Sequence, residues 1–313
     1  MPSRCVSSLI ISFLVVDLSH YGRIRVSGED RVQFLHSQST ANFEILHEGQ
    51  GCDTVFVTPT ARTINIAHAW IMRTAIKSVI SPVTRERITD MLKKYIFFAD
   101  KVEIQDITEQ TSLFVLVGPT TNQIMEALGL ADIVGQPYGS HKYYSVNRMP
   151  INVGVGNIVS EECYSLLMFP AAAESVWKAL LGHGAIPMGR PAPGKELSDE
   201  FNVLETNLWN AVSMNKGPRT ISRLVTYDGI RQRLWGICVS SPVEPGSPIS
   251  VNGKKVGKVT SFTTGKRASQ PLGDADQESR FEGDSVIIVD DVEGTVVDVL
   301  FPVRQITPSE SRI

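Results

Sequence analysis

The side chains best suited to chemistry crowd into one stretch, Glu205 to Ile237. It carries Glu205, Lys216, Gly217, Arg223, Tyr227, Asp228, Arg231 and Arg233. Several fixed donors close to a backbone turn suit an anionic or amide-rich small molecule. The turn itself is written into the chain. Lys216-Gly217-Pro218 interrupts the apolar run Leu208, Trp209, Ala211, Val212, Met214, because proline fixes φ and lacks an N–H. The same letters also describe a solvated charged edge, the usual fate of a charge cluster. Elsewhere the chemistry is sparse. There is no phosphate-binding glycine loop, nucleophile elbow or zinc-helix motif. His20, His36, His47, His68, His141 and His183 lack metal-ligand spacing, and Cys5, Cys52, Cys163 and Cys238 form no CxxC pair. His20 could be a base oriented by Asp17, but no nucleophile stands beside it, so a structural turn histidine is the better reading.

The elements that must position these residues read as two textures. Residues 23–28 alternate as a half-buried strand. Residues 29–36 form a short amphipathic helix for which Ser27 is a plausible N-cap. Strands follow at 54–58, 63–72 and 76–80, a helix at 84–95, strands at 102–107 and 112–117, and a helix at 121–128. Strands at 150–155 and 164–168 and an amphipathic helix at 172–183 complete this region. Strand–helix alternation of this kind places helices against sheets. From Leu234 the texture changes to short strands, at 235–239, 248–251, 255–261, 285–289 and 294–301. Asn252-Gly253 is a hairpin signal there. The tail reads as a small antiparallel barrel or sandwich.

Composition bounds the class. The chain has 313 residues, 42% of them apolar and 20% charged, with a net charge of −3. That is globular material for one large core or several small ones. The balance lacks the basic footprint of a nucleic-acid protein. The apolar run from Val6 to Val16 is too short and too serine-interrupted to span a membrane. It resembles a signal-peptide apolar region but leads into Asp17-Leu18-Ser19-His20 without a small-residue cleavage site, and Val15, Val16 and Leu18 read equally well as a strand entering a turn.

Three ordered blocks carry a resemblance. DLSHYGRIRVSGEDRVQFLHSQST, GQGCDTVFVTPTARTINIAHAWIM and FVLVGPTTNQIMEAL resemble the folate-binding region of the glycine-cleavage T-protein (aminomethyltransferase) superfamily. RPAPGKELSDEFNVLE and TISRLVTYDGIRQRLWGI are similar to its YgfZ-related branch, a folate-dependent factor in iron–sulfur protein maintenance, and most of all to plant chloroplast members. The resemblance implies an α+β fold, a cloverleaf of two interwoven α/β domains plus a C-terminal antiparallel β-barrel. It divides the chain into a leader (1–14), a folate-binding region (15–231), a barrel (232–305) and a tail (306–313). It implies tetrahydrofolate as cofactor, with Asn65, Glu205, Lys216, Gly217 and Arg223 at matching positions. The implied partners are folate and iron–sulfur client or assembly proteins, with no nucleic acid and no membrane, and the chain is expected to be a monomer. The chloroplast is the implied compartment, the mitochondrion the alternative.

The departures are as informative. T-proteins place an aspartate at the position matched by Asn65, and an amide cannot serve as a carboxylate base. Aminomethyl transfer is therefore disfavoured, and no catalytic residue is assigned. The branch's Lys-Gly-Cys signature survives only as Lys216-Gly217, followed by Pro218. A helix expected between Gly189 and Arg190 is missing. Gln270–Gly283 is polar where the family continues a strand. A one-carbon transferase and a degenerate splice isoform without ligand binding remain the alternative readings.

Overall fold

The structure, a computed structural model, describes residues 13–146, 148–157, 162–188, 211–213, 233–251, 253–259, 268–272, 286–289 and 292–297. In chain order the first elements are β1 (Leu14–Asp17), β2 (Gly22–Ser27), α1 (Arg31–Gln38), β3 (Gly51–Val57), β4 (Thr63–Ile71) and β5 (Ala75–Ile80). Then come α2 (Arg85–Lys94), β6 (Glu103–Asp106), β7 (Ser112–Val117), α3 (Thr121–Ala127), β8 (His141–Val146) and β9 (Met149–Val155). β10 (Cys163–Met168), α4 (Pro170–Gly182) and β11 (Ile186–Met188) follow. The last strands are β12 (Arg233–Val239), β13 (Pro248–Val251), β14 (Lys254–Lys258), β15 (Ala268–Leu272), β16 (Val286–Val289) and β17 (Val292–Val297).

The chain divides into two compact units. The first comprises residues 1–31, 46–52 and 68–192; the second comprises 32–45, 53–67 and 193–313. The division thus falls inside β3, after Cys52, and inside β4, after Ala67.

The first unit is built on a six-stranded sheet in the order β11-β1-β7-β10-β9-β8. Its pairings are antiparallel except β1 with β11, which is parallel. The central strands β7 (SLFVLV) and β10 (CYSLLM) are buried on both faces, which is why they read as continuous apolar runs. On one face Phe114, Leu116, Tyr164 and Leu166 pack with Val176 and Leu180 of α4. On the other, Leu113, Val115, Cys163 and Leu167 enclose Trp70 and Met72. β2 lies between β5 and β6, with α2 against β2 and β6 burying Ile88 and Leu92.

The Arg-Val-Ser-Gly-x-Asp motif closes this region by a backbone clamp. Gly28 has φ +109°, and a Cβ there would lie 1.9 Å from the Lys101 carbonyl oxygen. Only glycine fits both demands. Asp30 completes the clamp, its carboxylate accepting the Lys101 N–H at 2.9 Å. Ser27 is therefore the last residue of β2 rather than an N-cap, since α1 begins only at Arg31.

In the second unit, α1 buries Phe34 and Leu35, and the strand halves 53–57 and 63–67 meet through the turn Thr58–Arg62. The C-terminal strands are antiparallel, β12 with β15 and β17, β13 with β14 and β16, and β16 with β17. Ile237, Val243, Ile249 and Val259 form a small core among them. The expected hairpin joins β13 to β14, with Gly253 at φ +77°. The polar stretch from Gln270 opens inside β15, a strand not anticipated. β8 and β11 were not anticipated either. β8 is an edge strand with exposed Lys142 and Tyr143, and β11 has only three residues.

Candidate functional site

Asn65 is the one sequence-nominated ligand residue within the described part of the chain. Glu205, Lys216, Gly217 and Arg223 lie outside the described residues. Asn65 is buried, 2% exposed, near the start of β4. Side chains alternate along a strand, so Thr63, Asn65 and Ala67 share one face. Thr63 is fully buried, and its hydroxyl has no hydrogen-bond partner among the described residues. A buried hydroxyl without a partner carries a desolvation cost. This face therefore offers an amide and a hydroxyl side by side, both dry. Sequence reasoning nominated the amide and missed the hydroxyl, although the two-residue spacing within a strand was the available signal.

The same unit holds a second buried polar group, Thr40, from the HSQST end of the first motif block. Its Oγ1 accepts the Val55 N–H at 2.9 Å and donates to the Ala211 carbonyl at 2.6 Å. Its own carbonyl accepts the Ser213 N–H at 2.9 Å. Thr54 Oγ1 in turn accepts the Ala41 N–H at 3.1 Å. Thr40 thus ties residues 211–213, which lie shortly before Lys216-Gly217 in the sequence, to β3. The partners lie 171 positions apart in sequence, and no local pattern announces such a bond.

In the first unit, the Asp-Leu-Ser-His motif forms a turn around Arg23. The Asp17 carboxylate accepts the Ser19 N–H at 2.8 Å, and the His20 ring meets the Tyr21 ring edge-on at 4.9 Å. Asp17 therefore helps to shape the turn. The sequence reading of residues 23–28 as a half-buried strand needs correcting at Arg23, which is 1% exposed. Its guanidinium donates to the carbonyls of Ser19, Tyr21, Thr108 and Thr111, and its Nε to Thr111 Oγ1 at 2.7 Å. Burial pulls its pKa down to about 10, against the opposing pull of Asp106, Glu109 and Asp17, so it stays a cation at neutral pH.

The two turns that Arg23 binds line a polar cleft of about 400 Å³, with Ser19, His20, Arg85, Thr108, Glu109 and Thr111 on its wall. Arg85 is held by Asp106 at 3.4 Å and Glu109 at 3.5 Å. Ser19 Oγ accepts the Leu113 N–H at 3.1 Å. These groups cross-brace one another.

A T-protein-like frame is thus what the sheets and motif turns build, and comparison with known proteins agrees. The GCVT N-terminal domain model matches residues 10–216, and the chain belongs to that family. Within it, the chain is 58% identical over 314 residues to an Arabidopsis thaliana protein whose name places it among the transferases and in the chloroplast. That match spans 95% of this chain and 73% of the relative. The aminomethyltransferase of Rubrobacter xylanophilus is 25% identical over 294 residues, 87% of this chain and 78% of its own. Among solved structures, the glycine cleavage system aminomethyltransferase T of Bartonella henselae superposes with a TM-score of 0.77. It is 15% identical, over 93% of this chain and 86% of that one. The chain is a T-protein-like member of this transferase family, near the plant chloroplast members.

Proposed function

We propose that this protein binds tetrahydrofolate and supports iron–sulfur cluster assembly or repair in the chloroplast, without glycine-cleavage activity. The observation that carries the reading is Asn65. It is buried on β4, at the position where the resemblance puts a T-protein aspartate. An amide in a dry site can donate and accept, but it cannot take a proton at neutral pH. The fit to folate rests on the same strand face. A pterin presents amide-like edges, and the Asn65 amide and the Thr63 hydroxyl, which has no partner among the described residues, are complementary to them. When bound, the folate would supply a nitrogen able to carry a one-carbon unit. Asn65 and Thr63 would orient the ring. Glu205, Lys216, Gly217 and Arg223 are the further contacts we assign, Arg223 and Lys216 suiting the carboxylates of the glutamate tail.

We assign the ligand region to residues 15–231 and a closed antiparallel barrel to residues 232–305. The antiparallel pairings of β12 with both β15 and β17 support the latter. The chloroplast assignment rests on the name of the Arabidopsis relative. Calorimetry with tetrahydrofolate should show binding that Arg223→Ala and Asn65→Ala each weaken about tenfold or more, the worth of one good buried or charged hydrogen bond. No heat with any folate would overturn the reading. The iron–sulfur role is tested separately, by rescue of iron–sulfur enzyme activity in a bacterium lacking its YgfZ-related factor.

The family's aminomethyltransferases favour a second reading, one-carbon transfer by this chain itself. It requires turnover of an aminomethyl donor with added folate. Under the first reading, the wild-type chain shows none.

A further inference from the structure

Two phenylalanines stand in water on a turn that does not bend to hide them. Phe97 is 72% exposed and Phe98 is fully exposed. They follow α2 and precede β6, in the sequence KKYIFFADK. The turn is braced from within. The Asp100 carboxylate accepts the Phe97 N–H at 2.8 Å, and the Asp100 N–H returns to the Phe97 carbonyl at 3.0 Å. Its far end is pinned by the Gly28–Asp30 clamp on Lys101. The rings are thus presented by a fixed backbone.

Charge surrounds the tip unevenly. Lys93 and Lys94 are exposed in the last turn of α2. Lys101 is neutralised by Glu29 at 2.5 Å, and the Asp100 carboxylate is engaged by the turn. The tip thus carries two exposed aromatic rings, and the turn of helix just before it two exposed lysines. Two phenylalanine side chains offer roughly 300–500 Å². A stable protein interface needs about 800 Å² per partner. The tip is too small for a dimer contact, but its composition matches a bilayer interface, where aromatic rings enter the headgroup layer and lysines meet anionic lipid.

We propose that the Phe97–Phe98 tip is a peripheral contact with an anionic membrane surface, Lys93 and Lys94 supplying the charge. Such a contact needs no spanning segment, and it departs from the expectation that the chain has no membrane partner. It is independent of the folate reading.

The full chain is tested by co-sedimentation with phosphatidylcholine vesicles, with and without phosphatidylglycerol. Binding is expected to the anionic vesicles, weaker to the neutral ones, and diminished by salt. Phe97→Ser with Phe98→Ser should lower it about tenfold or more. Lys93→Glu with Lys94→Glu should lower it about tenfold on anionic vesicles only. All four positions are exposed, so unchanged melting curves will show that the variants fold. Absence of vesicle binding, or equal binding by the Phe variants, overturns the proposal. Concentration-dependent self-association abolished by Phe98→Ser would also overturn it, in favour of a second copy as the occupant.

Discussion

Both terminal nitrogens of Arg23 lie 3.1 Å from the carbonyl oxygen of Ser19. One cation thereby holds the turn of the Asp-Leu-Ser-His motif and, through Thr108 and Thr111, the turn after β6. The motif is conspicuous as a string of polar letters, yet its physical task is to offer carbonyls to a buried guanidinium. Arg23→Met should cost roughly 3–5 kcal/mol, because several buried acceptors lose their donor at once. Arg23→Lys should recover only part of that, an ammonium having three donors and no planar fork. Urea unfolding measures both; a lysine variant as stable as wild type would refute the fork argument.

Trp70 is fully buried and leaves no room beside it. A Cβ on Gly154 would sit 2.7 Å from the indole, and one on Gly51 would meet it at 2.7 Å as well. Gly154→Ala should destabilise by about 1–3 kcal/mol through overpacking. Thermal denaturation followed by tryptophan emission should show the loss. An unchanged midpoint would mean that the ring moves freely, contrary to its enclosure.

His141 gives the first unit a dependence on pH. Burial holds its pKa below the usual 6.5, while its contacts with Asn152 and the Ile71 carbonyl oppose the shift only in part. The folded chain therefore keeps it neutral where the unfolded chain would protonate it. Its contribution is complete above about pH 6.5 and is lost progressively as pH falls below that value. His141→Gln should flatten the fall in stability between neutral and mildly acidic pH. Identical pH slopes for the two proteins would assign the dependence to other groups.

Thr40→Val keeps the shape and removes the hydroxyl. The Val55 amide and the Ala211 carbonyl then lose their partner in a buried place, at about 1–3 kcal/mol. Because residues 211–213 lead into the proposed Lys216 contact, folate affinity should fall alongside stability. Stability lost with affinity intact would separate the Thr40 tie from the ligand site.

Strands β7 and β10 and helices α2 and α4 were readable, since each buries a face long enough to leave a pattern. β8 and β11 were not. An exposed edge strand and a three-residue strand bury too little to mark the sequence, and their partners are remote. Arg23 misled for a related reason. Within β2 it sits among alternating polar letters and reads as solvent-facing, whereas the carbonyls that bury it come from residues up to 88 positions away.

The sequence by itself determined the family, the hairpin signal at Asn252-Gly253, the turn at Gly28 and the absence of a carboxylate at Asn65. These depend on local backbone demands or on the chemistry of one side chain. Tertiary structure alone decided that Arg23 is buried, that Thr40 ties β3 to residues 211–213, and that the Thr63 hydroxyl is buried with no partner among the described residues. Those facts rest on which distant groups meet, and on whether water reaches them, and neither is encoded in the spacing of nearby letters.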